Sequence, residues 1–223
     1  MLAIAGGKGG SGKTTTTLGL AAALDGETLV VDADCDMPNL HALAAVDRRP
    51  TLAAVSDTRP PVCVAHDHPG ESGVSVLPAP VQASSESTDC GTDHTDLRRS
   101  LDRVGSMAGG SVDRPLVDCP AGAGPDAVAP LRVADRVLVV SPLCAAALRD
   151  AAKTVAMART LDTPVVGAVL TRTRLRPPGV SDLLDCPVLG AVPEVRPPVL
   201  DADVVRTAYA RLASALTLEE ELI

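Results

Sequence analysis

Lys8-Gly9-Gly10-Ser11-Gly12-Lys13-Thr14-Thr15 follows the short apolar run Leu2-Ala3-Ile4-Ala5 and leads into an Ala/Leu-rich helical stretch that runs to Leu24. Glycines lack a Cβ, so successive backbone N–H groups can turn inward and cradle an anion. The helix that follows aims its unpaired N–H groups at the same point. In this strand–loop–helix frame Lys13 stands where a loop lysine reaches the β- and γ-phosphates of a nucleotide, and Thr14 stands where a hydroxyl ligates Mg2+. Gly9, Gly10, Ser11, Gly12 and Thr15 complete the cradle.

Composition sharpens that reading. Only Lys8, Lys13 and Lys153 among the 20 basic residues are lysines; the rest are arginines. Two of the three lie inside one glycine loop. A compact ammonium suits a phosphate cluster, so chemistry explains their retention better than solubility does.

Working outward, short Val/Leu runs alternate with helical stretches, as βαβ units require. Strands are expected at 2–5, 28–32, 61–65, 73–77, 114–118, 136–141, 165–170 and 187–191. Helices are expected at 13–24, 38–46, 51–56, 94–107, 125–132, 144–161 and 199–216. The strands are continuous apolar runs, the pattern of a sheet covered on both faces. The fold class is therefore α/β, a doubly wound, mostly parallel sheet flanked by helices in one domain over residues 1–223. The chain is 46% apolar with no Phe or Trp and a single Tyr, Tyr209, so the core must be aliphatic. Residues 82–96 read as a polar surface loop with a helix starting at Thr95 or Asp96. Pro115 is expected at the first residue of its strand, where it removes no central ladder donor.

Two further segments carry acids at expected strand ends, the edge that faces the ligand crevice in such sheets. Leu29-Val30-Val31-Asp32-Ala33-Asp34 runs into Cys35-Asp36-Met37-Pro38-Asn39-Leu40. A carboxylate there, Asp34, can polarise a water beside a γ-phosphate. Leu116-Val117-Asp118-Cys119-Pro120-Ala121-Gly122 places Asp118 to hold Mg2+ and the Gly122 N–H to meet the γ-phosphate.

The loop, of the form Lys-Gly-Gly-x-Gly-Lys-Thr, resembles the deviant Walker A motif of the MinD/ParA family of P-loop ATPases. The resemblance implies a role for Lys8, reaching across a dimer interface to the partner's nucleotide. It also implies that Asp34 and Asn39 match switch I, with Asp34 at the attacking water and near the metal, and that Asp118 to Gly122 match switch II. Val192-Pro193-Glu194 resembles the family's base-covering loop. Thr171-Arg172 stands where the family usually has Asn-Arg, and a threonine cannot contact adenine through a bidentate amide. Leu143 replaces a usual Glu after Pro142, and Asp150 would lie near the dimer interface. ATP with Mg2+ is the expected ligand pair, with GTP as the second choice. The implied function is an ATP-hydrolysing, dimerising switch that positions a cellular cargo and meets an activating or cargo partner. An iron–sulfur carrier, a small-molecule ligase or a non-hydrolysing scaffold of the same superfamily are the alternatives.

The net charge of −8 and pI near 4.9 argue against general nucleic-acid affinity and resemble proteins of high-salt cytoplasm. Arg172, Arg174 and Arg176 form a local basic run, read first as a solvated loop and second as a DNA contact. The acidic stretch Leu218 to Ile223 does not resemble a basic membrane-targeting helix. With no signal-peptide pattern or membrane span, the chain is expected in the cytoplasm. Six cysteines stand at 35, 63, 90, 119, 144 and 186, none as Cys-x-x-Cys. Cys63, His66, His68, Cys90 and His94 form a zinc constellation of unfamiliar spacing, so small buried thiols in a reducing compartment are the main reading.

Overall fold

The structure, a computed structural model, describes residues 1–80, 94–107, 114–122 and 124–221. In chain order the elements are β1 (Leu2–Ala5), α1 (Lys13–Ala21), β2 (Thr28–Asp32), α2 (Leu40–Leu43), β3 (His66–Asp67), β4 (Val74–Leu77), α3 (His94–Met107), β5 (Arg114–Asp118), α4 (Pro125–Val133), β6 (Arg136–Pro142), α5 (Ala145–Thr160), β7 (Val165–Thr171), α6 (Gly179–Leu184), β8 (Val188–Val192) and α7 (Asp203–Glu221). The strands form one sheet in the order β3-β4-β2-β5-β1-β6-β7-β8. Every pairing is parallel except β3 with β4.

Successive residues of a strand face opposite sides, so each strand feeds two cores. On one side Ala3, Leu29, Val31 and Val139 pack with Leu101 of α3, Leu131 of α4, Val155 of α5 and Leu184 of α6. On the other, Ile4, Val30 and Leu138 pack with Leu20 of α1, Leu40 of α2 and Leu212 of α7. Tyr209 also lies in this second core, 2% exposed. It fits because Gly19 of α1 opposes it; a Cβ on Gly19 would stand 2.2 Å from the Tyr209 ring.

Several sequence expectations are corrected. Residues 61–65 are not a strand: Pro61–Cys63 forms a 3-10 turn, and only His66–Asp67 pairs, antiparallel, with β4. Consecutive prolines at 60 and 61 remove two ladder donors, which outweighs the apolar Val62 and Val64. Residues 51–56 make only the 3-10 turn Leu52–Ala54, held by the Leu52 N–H bonding the Pro78 carbonyl at 2.8 Å. The last helix starts at Asp203 rather than 199, after Pro197 and Pro198, and runs on to Glu221. Helix α6 was not expected at all; at six residues it is too short to show a full apolar period.

Pro115 is the second residue of β5, not the first. It is tolerated because the β1–β5 ladder begins only at Leu2 opposite Leu116, so Pro115 has β2 alone beside it. Helix α3 begins at His94, so 94–96 of the loop expected over 82–96 are helical, and its residues 82–93 lie outside the described residues.

Candidate functional site at the carboxyl edge of the sheet

Strands β2, β5 and β1 end side by side, and their following loops meet at one place. The loop after β1 holds Gly10 at φ 72° and Gly12 at φ 94°, left-handed values that side chains resist. A Cβ on Gly9 or Gly10 would meet nothing within 4 Å, so the backbone there is open to a ligand. Gly12 caps α1 without a side-chain hydrogen bond, and the first turn holds no acid. The free N–H groups of that turn therefore retain their attraction for an anion.

Side chains converge on the same spot. Lys13 is 8% exposed and makes no ion pair among the described residues. Ser11 Oγ is buried without a hydrogen-bond partner among the described residues. A buried hydroxyl of this kind costs stability unless something else satisfies it. The Thr14 hydroxyl donates to Asn39 Oδ1 at 3.1 Å and also reaches the Asp118 carboxyl. Thr17 donates to Asp118 Oδ1 at 3.4 Å.

Asp32 and Asp118 face each other across paired strands and are 0% and 2% exposed. Burial, then the charge of Asp118, pushes the Asp32 carboxyl up to about 7, against the pull of two backbone N–H groups. Burial likewise raises Asp118 to about 6, opposed first by the Thr14 hydroxyl and then by the Lys13 ammonium. Two carboxyls buried side by side are thus raised chiefly by desolvation, which the Lys13 ammonium only partly offsets at Asp118. Asp32 was overlooked in the sequence, where it reads as the last residue of a strand. It organises the following loop: Oδ1 accepts from the Asp34 N–H at 3.0 Å and Oδ2 from the Leu40 N–H at 3.3 Å. Asp34 in turn accepts the Met37 N–H at 3.0 Å and leaves its carboxylate on the cleft wall.

The cleft has a volume of about 610 Å³; Gly9, Gly10, Gly12, Lys13, Thr14, Thr15, Asp34, Asn39 and Arg172 all line it. Exposed Met37 and Leu43, also unforeseen, form its apolar rim. An adjoining recess of about 280 Å³ is lined by Gly12, Thr15, Thr171, Arg172, Pro193, Glu194 and Tyr209. The two cavities share the loop's end and together make one elongated site.

Some expected residues do not line the cleft. Lys8 is exposed and makes no ion pair among the described residues. Its neighbour Gly7 packs so tightly on Asp150 that a Cβ would stand 2.4 Å from the Asp150 carbonyl oxygen. Asp150 itself is bridged to Lys153 at 3.0 Å. Gly122, at φ 98°, follows Ala121, which is the residue at the wall. Thr171 spends its hydroxyl on the loop, donating to the Ser11 carbonyl at 2.8 Å.

Among the described residues the zinc constellation is not assembled. His66 Nε2 bonds the Pro50 carbonyl at 3.1 Å, and His68 Nδ1 accepts the Gly70 N–H at 3.1 Å. Cys90 lies outside the described residues, as does the side chain of His94. Among the described residues no group of three or more His, Cys, Asp or Glu is placed to hold a metal ion. Nor is any described helix long and apolar enough to cross a membrane.

Residues 2–196 match the model of the CobQ/CobB/MinD/ParA nucleotide binding domain. The chain belongs to this family. Its relatives include an uncharacterized ATP-binding protein of Methanocaldococcus jannaschii, 31% identical over an alignment of 210 residues that covers 86% of this chain and 74% of that protein. The cell division ATPase MinD of Pyrococcus furiosus superposes with a TM-score of 0.79 at 26% identity, covering 100% of this chain and 98% of the other. The septum site-determining protein MinD of Pyrococcus horikoshii, solved with Mg-ADP, gives the same TM-score of 0.79 at 24% identity, covering 99% and 97%. In this chain the glycine loop and the two acidic strand ends lie together at the carboxyl edge of the sheet.

Proposed function

We propose that the chain binds ATP with Mg2+ in the joined cavities, hydrolyses it slowly, and uses the cycle as a dimerising switch that positions a cellular cargo. The observation that carries this reading is the meeting of the open glycine turn, the unpaired Lys13, Thr14 and Asp34 in one cleft, with the buried Asp118 joined to it through the Thr14 hydroxyl. The residues fit the ligand: a triphosphate supplies acceptors for Lys13 and the loop N–H groups, and a divalent cation supplies a counter-charge for the carboxyls. Thr14 and Asp118, with Asp34, would hold Mg2+, which would neutralise charge developing on the phosphates.

The chain's own groups then divide the work. The loop N–H groups and Lys13 fix the phosphates, while Asp34 orients a water and accepts its proton. Asp32 holds the Asp34 backbone in place rather than touching the reacting atoms. Pro193 and Glu194 border the recess where a base would rest. Lys8, exposed and unpaired among the described residues, is free to serve a second subunit, which supports a sandwich homodimer. The likeness to the Pyrococcus cell division ATPase MinD supports a role in placing a division site or comparable cargo, through a partner protein that reads the nucleotide state.

Phosphate release measured with Mg2+ and ATP tests the enzymatic part. The wild type should turn over slowly, and Asp34→Ala should lose at least about a hundredfold in rate, the scale of a lost proton acceptor. Equal rates for both would remove Asp34 from the chemistry.

A further inference from the structure

Arg174 and Arg176, which follow β7, and Arg211 of α7 line one groove of about 470 Å³ that touches the smaller recess only at Pro193. Its floor is the edge strand β8, at Leu189 to Ala191, and its far wall is α7, at Val204 and Ala208. We propose that this groove binds an extended, carboxylate-rich segment of a partner protein.

Three observations support an acidic peptide. First, the arginines converge unpaired. Five other arginines, Arg98, Arg99, Arg103, Arg159 and Arg206, are each held by a carboxylate. Among the described residues Arg174, Arg176 and Arg211 have no such partner, although the chain carries a net charge of −8. Arg176 reaches only a backbone oxygen, the Leu189 carbonyl, at 3.5 Å. Like charges gathered without counter-charge repel one another, and an incoming carboxylate relieves that repulsion while matching the planar guanidinium fork.

Second, β8 ends the sheet order, and β7 is its only strand partner among the described residues. Its outer edge presents backbone groups of the kind that an added strand pairs with. Third, the surroundings are partly apolar: Leu175, between two of the arginines, is 65% exposed, and Val204 is 36% exposed. A phosphodiester backbone offers nothing to such side chains, whereas alternate apolar residues of an extended peptide do. A long polyanion would also meet the acidic remainder of the surface, which a short segment avoids.

The groove does not depend on the nucleotide reading, so the test uses the nucleotide-free full chain. A fluorescein-labelled peptide of alternating glutamate and valine is titrated while anisotropy is followed, with a lysine–valine peptide and a short DNA duplex as competitors. The expected result is saturable binding that the lysine peptide and the duplex do not displace. Arg211→Glu and Arg174→Glu, both exposed positions, should each weaken binding by about tenfold or more with an unchanged melting temperature. Absence of binding, binding indifferent to both substitutions, or arginine-dependent binding of the duplex in place of the peptide would each overturn the proposal.

Discussion

Thr171 at the end of β7 donates its hydroxyl to the Ser11 carbonyl at 2.8 Å, so a strand distant in sequence is bonded directly to the glycine turn. The next residue repeats the contact: Arg172, at φ 56°, donates from Nη2 to the Gly10 carbonyl at 2.8 Å. The turn is thus shaped from outside as well as by its own glycines. Thr171→Val keeps the volume but leaves the buried carbonyl unpaired. It should cost about 1–2 kcal/mol of stability and weaken Mg2+·ATP binding. Thermal melting and calorimetric titration check both, and a variant unchanged in each would show that the bond does not shape the site.

The contact between Gly19 and Tyr209 predicts a packing defect. Gly19→Ala gains about 1 kcal/mol of helix propensity, yet its new methyl must displace the ring of the chain's single aromatic residue. The net outcome should be a loss of roughly 1–2 kcal/mol. Because Tyr209 also lines the smaller recess, nucleotide affinity should fall with it. Combining Gly19→Ala with Tyr209→Ala in a double-mutant cycle should show strong non-additivity. Additive losses would mean that the methyl is accommodated elsewhere.

The raised carboxyls set a pH dependence. Asp32 has its folded value raised from 3.8 to about 7, so the folded state holds a proton that the unfolded chain has already released. The resulting penalty is absent below about 4, grows as pH rises, and is complete above about 7. Stability without ligand should therefore fall by on the order of 2–4 kcal/mol across that window, with Asp118 acting in the same direction. Asp32→Asn should flatten the slope, as denaturant melts at several pH values would show. Added Mg2+·ATP should also flatten it, by giving the ionised pair a counter-charge. A wild-type slope of opposite sign would contradict the assignment.

Lys8 is exposed and has no ion pair among the described residues, although it sits in the loop. Lys8→Ala should therefore leave ATP affinity of the monomer within about twofold, since that side chain contributes nothing to the monomer's own cleft. Dimerisation driven by ATP should disappear, which light scattering after gel filtration measures. A variant that still dimerises with ATP would remove Lys8 from the interface.

How legible this molecule is depends on the distance over which each feature is written. The glycine turn and the Val/Leu strands read directly, because local spacing and two-faced burial leave a local mark. Residues 61–65 misled, because Val62 and Val64 look like strand while Pro60 and Pro61 forbid one. Nothing in the neighbours of Asp32 says that it will be sealed against Asp118, 86 residues later in the chain. Tyr209 gave no hint of bordering the recess, because its place depends on Gly19 in the first helix. Arg211 joins Arg174 and Arg176 only when α7 folds back on β8. Thr171 read as a poor substitute for a base-contacting amide; folded, it is a brace for the loop.

The most direct test of the nucleotide reading is a calorimetric titration of Mg2+·ATP into the wild-type chain and into Lys13→Ala. The account predicts saturable heat with one site per chain for the wild type and none for the variant. It would be contradicted by a silent wild type, or by identical binding when Lys13 is gone.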